Sequence, residues 1–290
     1  MPYLSKRNSG IIFALVTACG LGAITTLAKI FYTDGGNALT LMLTRFVASV
    51  LVFGLLILIR RDSFKVNTAQ RTPLIALGII WSAAMICYLI AVETVSVSLA
   101  VLIFYFYPLL VLAYSILSRQ LAASLPLISL FLGAFLGLYL ALSGGEISVD
   151  VNGILFATLA SCGAAFTFIC GARVAPAMSP LLMSFWINAI GLMLILPMMV
   201  DRLELPGSLQ GTVALATATL FYLIAILCQF QALARLPAAR AAFLLNLEPV
   251  VSIMLAYLVL SETLSIIQGS GVILVLSIII FSLRFKPTTS

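Results

Sequence analysis

Ten apolar stretches of about 20 residues each constrain the fold of this chain more than any other feature. They lie at residues 9–32, 37–60, 72–92, 95–118, 124–144, 151–172, 178–200, 209–233, 237–260 and 264–284. A helix needs about 20 consecutive apolar residues to cross the hydrocarbon core of a bilayer. The pattern therefore predicts an all-α integral membrane protein with ten transmembrane helices.

The composition excludes a soluble domain of this length. Hydrophobic residues make up 63% of the chain and charged residues only 8%, whereas soluble domains carry about 25% charged residues. The net charge of +6 comes from basic residues in short loops, which indicates the lipid bilayer as the partner and not nucleic acid. The five cysteines all fall inside apolar stretches and show no metal-binding or disulfide spacing, so we expect free thiols.

The charged loop residues sort between two sides when the helices alternate in direction. The side of the N-terminus holds one acid, Asp62, and the bases Lys6, Arg7, Arg60, Arg61, Lys65, Arg71, Arg119, Arg173, Arg235, Arg240, Arg284 and Lys286. The other side holds one base, Arg202, and the acids Asp34, Glu93, Glu146, Asp150, Asp201, Glu204 and Glu262. Because basic loops mark the cytoplasmic side, we predict that both termini lie in the cytoplasm. The first apolar stretch is expected to remain as a span and not to be a cleaved signal.

A weak internal repeat relates the two halves of the chain. An offset of 141 residues aligns Cys87 with Cys228 and Pro108 with Pro249. Five spans in each half give the halves opposite orientations, so we predict two inverted repeats at residues 8–145 and 150–286 that form one transport unit. Inverted repeats are typical of transporters that expose a central site alternately to each side, although a duplicated scaffold without transport is the alternative.

The segment from Ala232, "ALARLPAARAAFLLNLEPVVSIMLAYLVLSETLSIIQGSGVILVL", carries a family resemblance. Its Leu-Pro-Ala turn, Glu-Pro pair and Ser-Glu-x-Leu exit resemble the second repeat of the drug/metabolite transporter (DMT) superfamily, EamA type. Lys29 and Arg45 match the pattern of the first two helices, whereas Cys19 replaces the family's usual tryptophan. The resemblance implies a ten-helix inner-membrane carrier that exports small metabolites, similar to the aromatic amino acid exporters of that family.

A carboxylate and a helix breaker, Glu248 and Pro249, interrupt the ninth apolar stretch. Glu248 is eleven residues into its helix, about 17 Å deep and near the bilayer midplane. Pro249 lacks an N–H group, so we expect the Leu245 carbonyl to be left unpaired. Two roles stay open for Glu248: gating or proton coupling, and a structural salt bridge to Arg45 or Lys29.

Aromatic and amide side chains in equivalent helices indicate a cavity. Trp81 and Tyr88 are seven residues apart on one helix face, and the offset aligns them with Tyr222 and Gln229. Tyrosine and tryptophan also form belts at the membrane interface, which is the alternative. We favour a lining of the substrate cavity, because these residues do not all lie near a span end.

The fourth stretch carries a second interruption, "FYFYP", in which Tyr105 and Pro108 align with Asn246 and Pro249. Interruptions at matching positions of two halves are typical of a transporter's binding site. Phe166 of the sixth helix is expected to complete the wall, although ordinary packing is the alternative for each of these residues alone.

These residues favour an exporter of amino acids, aromatic or hydrophobic, that works by alternating access. The alternative is an efflux carrier for lipophilic drugs or other small metabolites with the same fold. An intramembrane enzyme is disfavoured, because the chain has no histidine and one deep acid, and no metal or cofactor is predicted. Gly133, Gly137, Gly269 and Gly271 predict close helix packing, and both a monomer and a homodimer stay open.

Overall fold

A computed structural model of the chain describes residues 2–143, 150–198 and 202–284, with side chains described for residues 6–143, 150–197 and 202–283. Within these ranges the backbone is almost entirely helical. Of the charges used to predict the orientation, Glu146, Asp201, Lys286 and the side chain of Arg284 lie outside this part of the chain, as do the predicted span ends at 144 and 199–200.

The described α-helices follow the apolar stretches in order. They are α1 (Pro2–Thr33), α2 (Ala38–Ile59), α3 (Thr68–Thr94), α4 (Val97–Phe104), α5 (Tyr107–Leu117), α6 (Leu125–Ala141), α7 (Val151–Val174), α8 (Pro180–Ile195), α9 (Leu209–Leu233), α10 (Ala238–Leu244), α11 (Leu247–Leu260) and α12 (Ile266–Arg284). Short 3₁₀ turns at Ala175–Ala177 and Leu196–Met198 extend α7 and α8.

Eight helical segments are long and apolar enough to cross a membrane, counting α4 with α5 and α10 with α11 as single segments. The two others, α6 and α8, are apolar but have only 17 and 16 residues. These lengths lie at or just below the lower limit of about 17 residues for a span. The prediction of an all-α membrane protein is confirmed, whereas ten complete crossings stay a prediction.

Polar side chains define where two of the helices begin. The Asn37 side chain caps α2, since its Oδ1 accepts a hydrogen bond of 2.8 Å from the backbone N–H of Thr40. Ser208 caps α9 in the same way, with its Oγ 3.2 Å from the backbone nitrogen of Gly211. Such caps satisfy N–H groups that have no partner inside the helix.

The connection into α9 is tied to the end of α1. Asp34 accepts hydrogen bonds from two backbone N–H groups, that of Ser208 at its Oδ2 (2.8 Å) and that of Gly207 at its carbonyl (3.0 Å). The Asn37 amide donates to the Arg202 carbonyl over 2.8 Å. These bonds keep the starts of α2 and α9 side by side.

The helices form two compact units, and each unit takes residues from both halves of the chain. The first unit comprises the described residues within 1–82 and 170–236, and the second unit those within 83–169 and 237–290. In the first unit α1 packs along α9, and α2 packs against α8 and α9. The two repeats predicted from the sequence follow a different division, and they stay a prediction.

In the second unit α6 packs closely against α12, while α5 packs against α10. The closest approach of α6 and α12 is at Gly137 and Gly271. A Cβ atom added to Gly271 would clash with the backbone of Ala141 and lie 2.6 Å from the Gly137 carbonyl oxygen. Gly269, one half-turn earlier in α12, has no atom within 4 Å of such a position. Gly137 and Gly271 therefore have the predicted packing role, and Gly269 does not.

Candidate functional site

Two helices of the second unit are interrupted at matching places. The first break separates α4 from α5 at Tyr105 and Phe106, and the second separates α10 from α11 at Leu245 and Asn246. Proline follows each break, since Pro108 lies in the first turn of α5 and Pro249 in the first turn of α11. The sequence repeat places the second break one residue later than the structure does.

The hydrogen bonds at the second break differ from the prediction. The Leu245 carbonyl is not unpaired, because it accepts a bond of 3.0 Å from the backbone N–H of Glu248. In a regular helix the Leu245 carbonyl would accept from the N–H of residue 249, which proline lacks. The tight turn at the break brings the N–H of Glu248, only three residues after Leu245, to the same carbonyl. Pro249 thus removes one donor, and the break supplies another.

Five aromatic residues of the second unit surround the first break and form what we call the aromatic cluster: Tyr88, Phe104, Tyr105, Tyr107 and Phe168. Tyr107 stacks on Phe168, with ring centroids 5.1 Å apart and planes inclined by 28°. Phe104 contacts Tyr88, Tyr105 and Tyr107 at centroid distances of 5.1, 5.5 and 5.6 Å. The break lets Tyr105 and Tyr107, two residues apart, both turn inward, and both are buried.

Glu248 lies beside this cluster. Its half-buried carboxylate is within electrostatic range of the hydroxyl groups of Tyr105 and Tyr107. The Tyr105 hydroxyl is directed at Glu248, but it makes no hydrogen bond of normal geometry with a described residue. Nearby, the buried Asn246 amide donates to the Phe243 carbonyl over 2.8 Å. The second unit therefore combines a carboxylate, two phenols and flat aromatic faces at its paired breaks.

A second group of polar side chains, the Arg45 cluster, lies in the first unit and consists of Arg45, Trp81, Asn188 and Tyr222. The Arg45 guanidinium stacks over the Tyr222 ring, 5.2 Å from its centroid, and its Nε donates to the Leu41 carbonyl over 3.2 Å. The Tyr222 hydroxyl donates to Asn188 Oδ1 over 2.9 Å, and the Trp81 side chain is directed at the same hydroxyl. A half-buried cation is thus held against the face of one aromatic ring.

The remaining predicted residues differ in their exposure. Gln229 is buried in α9, seven residues after Tyr222, and Phe166 is half-buried in α7. Lys29 is exposed on α1. An ion pair of Glu248 with Arg45 or Lys29 would join residues of the second unit and the first, and it stays a prediction.

Two residues of these clusters, Asn188 and Phe168, were not among the predicted site residues. Asn188 is fully buried, and its Nδ2 donates to the Ser184 carbonyl over 2.7 Å. An asparagine in the apolar run "LLMSFWINAIGLM" was a usable signal, because a buried amide requires partners. Phe168 carried no such signal, since phenylalanine is common in any apolar helix. No group of histidine, cysteine or acidic residues suited to a metal ion occurs among the described residues.

Comparisons with known proteins add to this description. The sequence pattern of the EamA-like transporter family matches the chain twice, at residues 8–143 and 151–284. A crystal structure described only as "Crystal structure of protein" has the same fold, with a TM-score of 0.79 and 17% sequence identity. The similarity covers 96% of this chain and 97% of that one. No curated protein matches the sequence.

Proposed function

Because the chain belongs to the EamA-like transporter family, we propose that it is a secondary transporter that exports amino acids, aromatic or hydrophobic ones, across the bacterial inner membrane. The family and the apolar helices make it a multi-span membrane transporter. The cargo, the direction and the membrane are our proposal.

The proposed topology has ten spans in two inverted repeats, residues 8–145 and 150–286, with both termini in the cytoplasm. The charge distribution supports this orientation, because the basic loops collect on the side of the N-terminus. The family pattern occurs once in each half, which supports a duplicated chain. Two inverted halves that rock about a central site give alternating access without a change in their internal packing.

The paired breaks of the second unit carry the proposal. Non-helical backbone at membrane depth is tolerated where it is buried in protein or lines a wet cavity. A carboxylate at that depth is costly unless it is paired or hydrated, which makes Glu248 a functional candidate. The aromatic cluster beside it offers faces on which an aromatic substrate can stack, since offset and edge contacts between rings are favourable.

Each predicted residue has a role in this scheme. The apolar part of the substrate contacts aromatic rings, those of Trp81, Tyr88, Tyr105, Phe166 and Tyr222. Its charged groups bind the amides of Gln229 and Asn246. Glu248 takes part in gating or ion coupling, with Lys29 and Arg45 as charged partners. Pro108 and Pro249 keep the two helices broken.

Export of a different cargo is the alternative, with lipophilic drugs or other small metabolites in the same cavity. The largely aromatic lining favours this cargo over phosphorylated metabolites, because a phosphate carrier needs several basic groups at its site and only Lys29 and Arg45 are candidates. A carrier of lipophilic cations would not require amide groups near its site.

Resistance of cells to a toxic aromatic analogue tests the proposal. Cells that overproduce the protein are expected to grow at higher concentrations of p-fluorophenylalanine than cells with the empty vector, because export lowers the internal concentration. A toxic lysine analogue serves as the control and should inhibit both strains equally. Unchanged sensitivity to p-fluorophenylalanine, with the protein shown in the membrane fraction, contradicts aromatic export. Resistance only to lipophilic dyes would support the alternative cargo.

A further inference from the structure

We infer that the Arg45 cluster of the first unit is an anion site that binds the carboxylate of the transported molecule. The inference rests on the proposed function and assigns Arg45 to substrate binding in place of the pairing with Glu248. It follows from the hydrogen-bond donors that the structure leaves available around one membrane-embedded guanidinium.

The Arg45 guanidinium has more donors than its surroundings use. An arginine side chain carries five N–H donors in a planar fork and no acceptor. In the first unit one donor is used, by the bond from Nε to the Leu41 carbonyl. The Tyr222 ring covers one face of the guanidinium plane, where it accepts no in-plane hydrogen bond. The two Nη groups therefore remain as a pair of parallel donors, which is the arrangement that binds a carboxylate through both oxygens.

No carboxylate described in the first unit forms an ion pair with Arg45. An unpaired cation eight residues into a transmembrane helix is costly, and such residues face a cavity or a partner. Arg235, in the same unit, is an arginine whose Nη1 group has acceptors. Its guanidinium stacks over Phe13 at 4.9 Å, and its Nη1 donates to both the backbone and the side-chain oxygen of Gln231. Arg45 has the same cation–π contact without those acceptors.

The residues around Arg45 hold it in place and leave its charge uncompensated. The Tyr222 hydroxyl donates to Asn188, and the Asn188 amide donates to its own helix, so the hydroxyl end of the ring is fixed to α8. Tyr32 lies within electrostatic range of Arg45, and its hydroxyl is a neutral donor or acceptor. An anion would therefore meet a guanidinium that is already positioned by its neighbours.

The shape of the cluster indicates the class of ligand. The Tyr222 ring lies against the guanidinium, and the Trp81 side chain is directed at the Tyr222 hydroxyl. A molecule with a carboxylate one or two carbon atoms from an aromatic ring would place the carboxylate on Arg45 and its ring against these side chains. Aromatic amino acids and aryl acetates have this geometry, whereas the corresponding amines lack the anion.

Binding of matched acids and amines to the purified full-length protein tests the inference. The probes are phenylacetate, phenethylamine and L-phenylalanine, measured on protein in phosphatidylcholine nanodiscs. The Arg45→Gln variant is expected to weaken phenylacetate and phenylalanine binding by about tenfold to a hundredfold, because charge-assisted hydrogen bonds are lost. Phenethylamine binding should not change. Arg45→Lys should restore part of the loss, and the matched control Arg235→Gln should bind all three probes like the wild type.

Other outcomes would overturn the inference. One is that Arg45→Gln weakens the binding of phenylacetate and of phenethylamine equally, and another is that it changes the binding of neither. A third is that phosphatidylglycerol in the nanodiscs displaces phenylacetate, which would identify a lipid headgroup as the anion. Flux of labelled phenylalanine, measured in parallel, separates this inference from the proposed function. Arg45-dependent phenylacetate binding without flux would contradict the proposed function and support the anion site. If the Arg45→Gln variant keeps both phenylalanine flux and phenylacetate binding, the result would support the proposed function and contradict the anion site.

Discussion

Replacing Glu248 with glutamine is expected to lower export driven by a proton gradient by about tenfold or more, while exchange of internal for external substrate stays within about twofold of the wild type. Glutamine keeps the size and the hydrogen-bonding oxygen of the side chain but cannot release a proton. Exchange of substrate for substrate moves no net protons, so it does not require the side chain at position 248 to gain or lose a proton. The measurement is the flux of labelled phenylalanine in proteoliposomes, with and without an imposed pH difference.

Glu93→Gln is the matched control, because Glu93 is exposed at the end of α3. This variant should retain both activities. Equal loss of driven export and exchange in Glu248→Gln would indicate that the carboxylate holds the structure together, and no loss of either would remove it from the transport cycle. Only a selective loss supports proton coupling at Glu248.

Gly271→Ala is expected to destabilise the protein by roughly 1–3 kcal/mol, through overpacking of α6 against α12. The added methyl group meets the backbone of Gly137 and Ala141. Backbone atoms cannot rotate away as a flexible side chain can, so the two helices must separate. The midpoint of thermal unfolding of the purified protein in detergent measures the effect.

Gly269→Ala separates packing from helix propensity. Alanine is favoured over glycine inside a helix by about 1 kcal/mol, and this preference acts in the same direction at both positions. Since the space around Gly269 is open, its replacement should leave the unfolding midpoint unchanged or slightly higher. Equal midpoints for Gly269→Ala and Gly271→Ala would show that the contact between α6 and α12 contributes little.

The helices were predictable from the sequence because their lengths depend on the bilayer. The predicted stretch 209–233 coincides with α9, and 37–60 differs from α2 by one residue at each end. Polar residues at these boundaries explain this agreement, since Asn37 and Ser208 cap the two helix starts in the structure. The predicted stretches are longer than α6 and α8, because apolar residues such as Leu142 and Met178 lie just outside these helices.

The breaks were predictable in number but not in detail. Pro108 and Pro249 indicated two interruptions, yet the non-helical residues precede each proline by two to four positions. A proline ring clashes with the preceding turn and not with its own, so the irregular backbone lies upstream. The prediction of an unpaired Leu245 carbonyl was wrong, because a local turn supplies the N–H of Glu248 as its donor. Sequence patterns do not distinguish such a turn from a regular helical bond.

Contacts between distant helices were the part that the sequence did not reveal. Asn188 and Tyr222 are 34 residues apart, and their hydrogen bond depends on how α8 and α9 pack. The grouping of helices into two units that each mix the two halves of the chain also has no local signature. Periodicity identifies which face of a helix is apolar, but many helix pairs can cover such a face equally well.

Labelling at position 248 tests most directly the claim that the paired breaks border a water-filled substrate path. In a variant without the five native cysteines, Glu248→Cys is treated with a membrane-impermeant thiol reagent from either side of the membrane. We predict that the reagent reacts from at least one side and that excess phenylalanine slows the reaction, whereas Leu244→Cys, at a position with 0% exposure, stays unreactive. A Glu248→Cys variant that remains folded in the membrane but reacts from neither side would contradict the account.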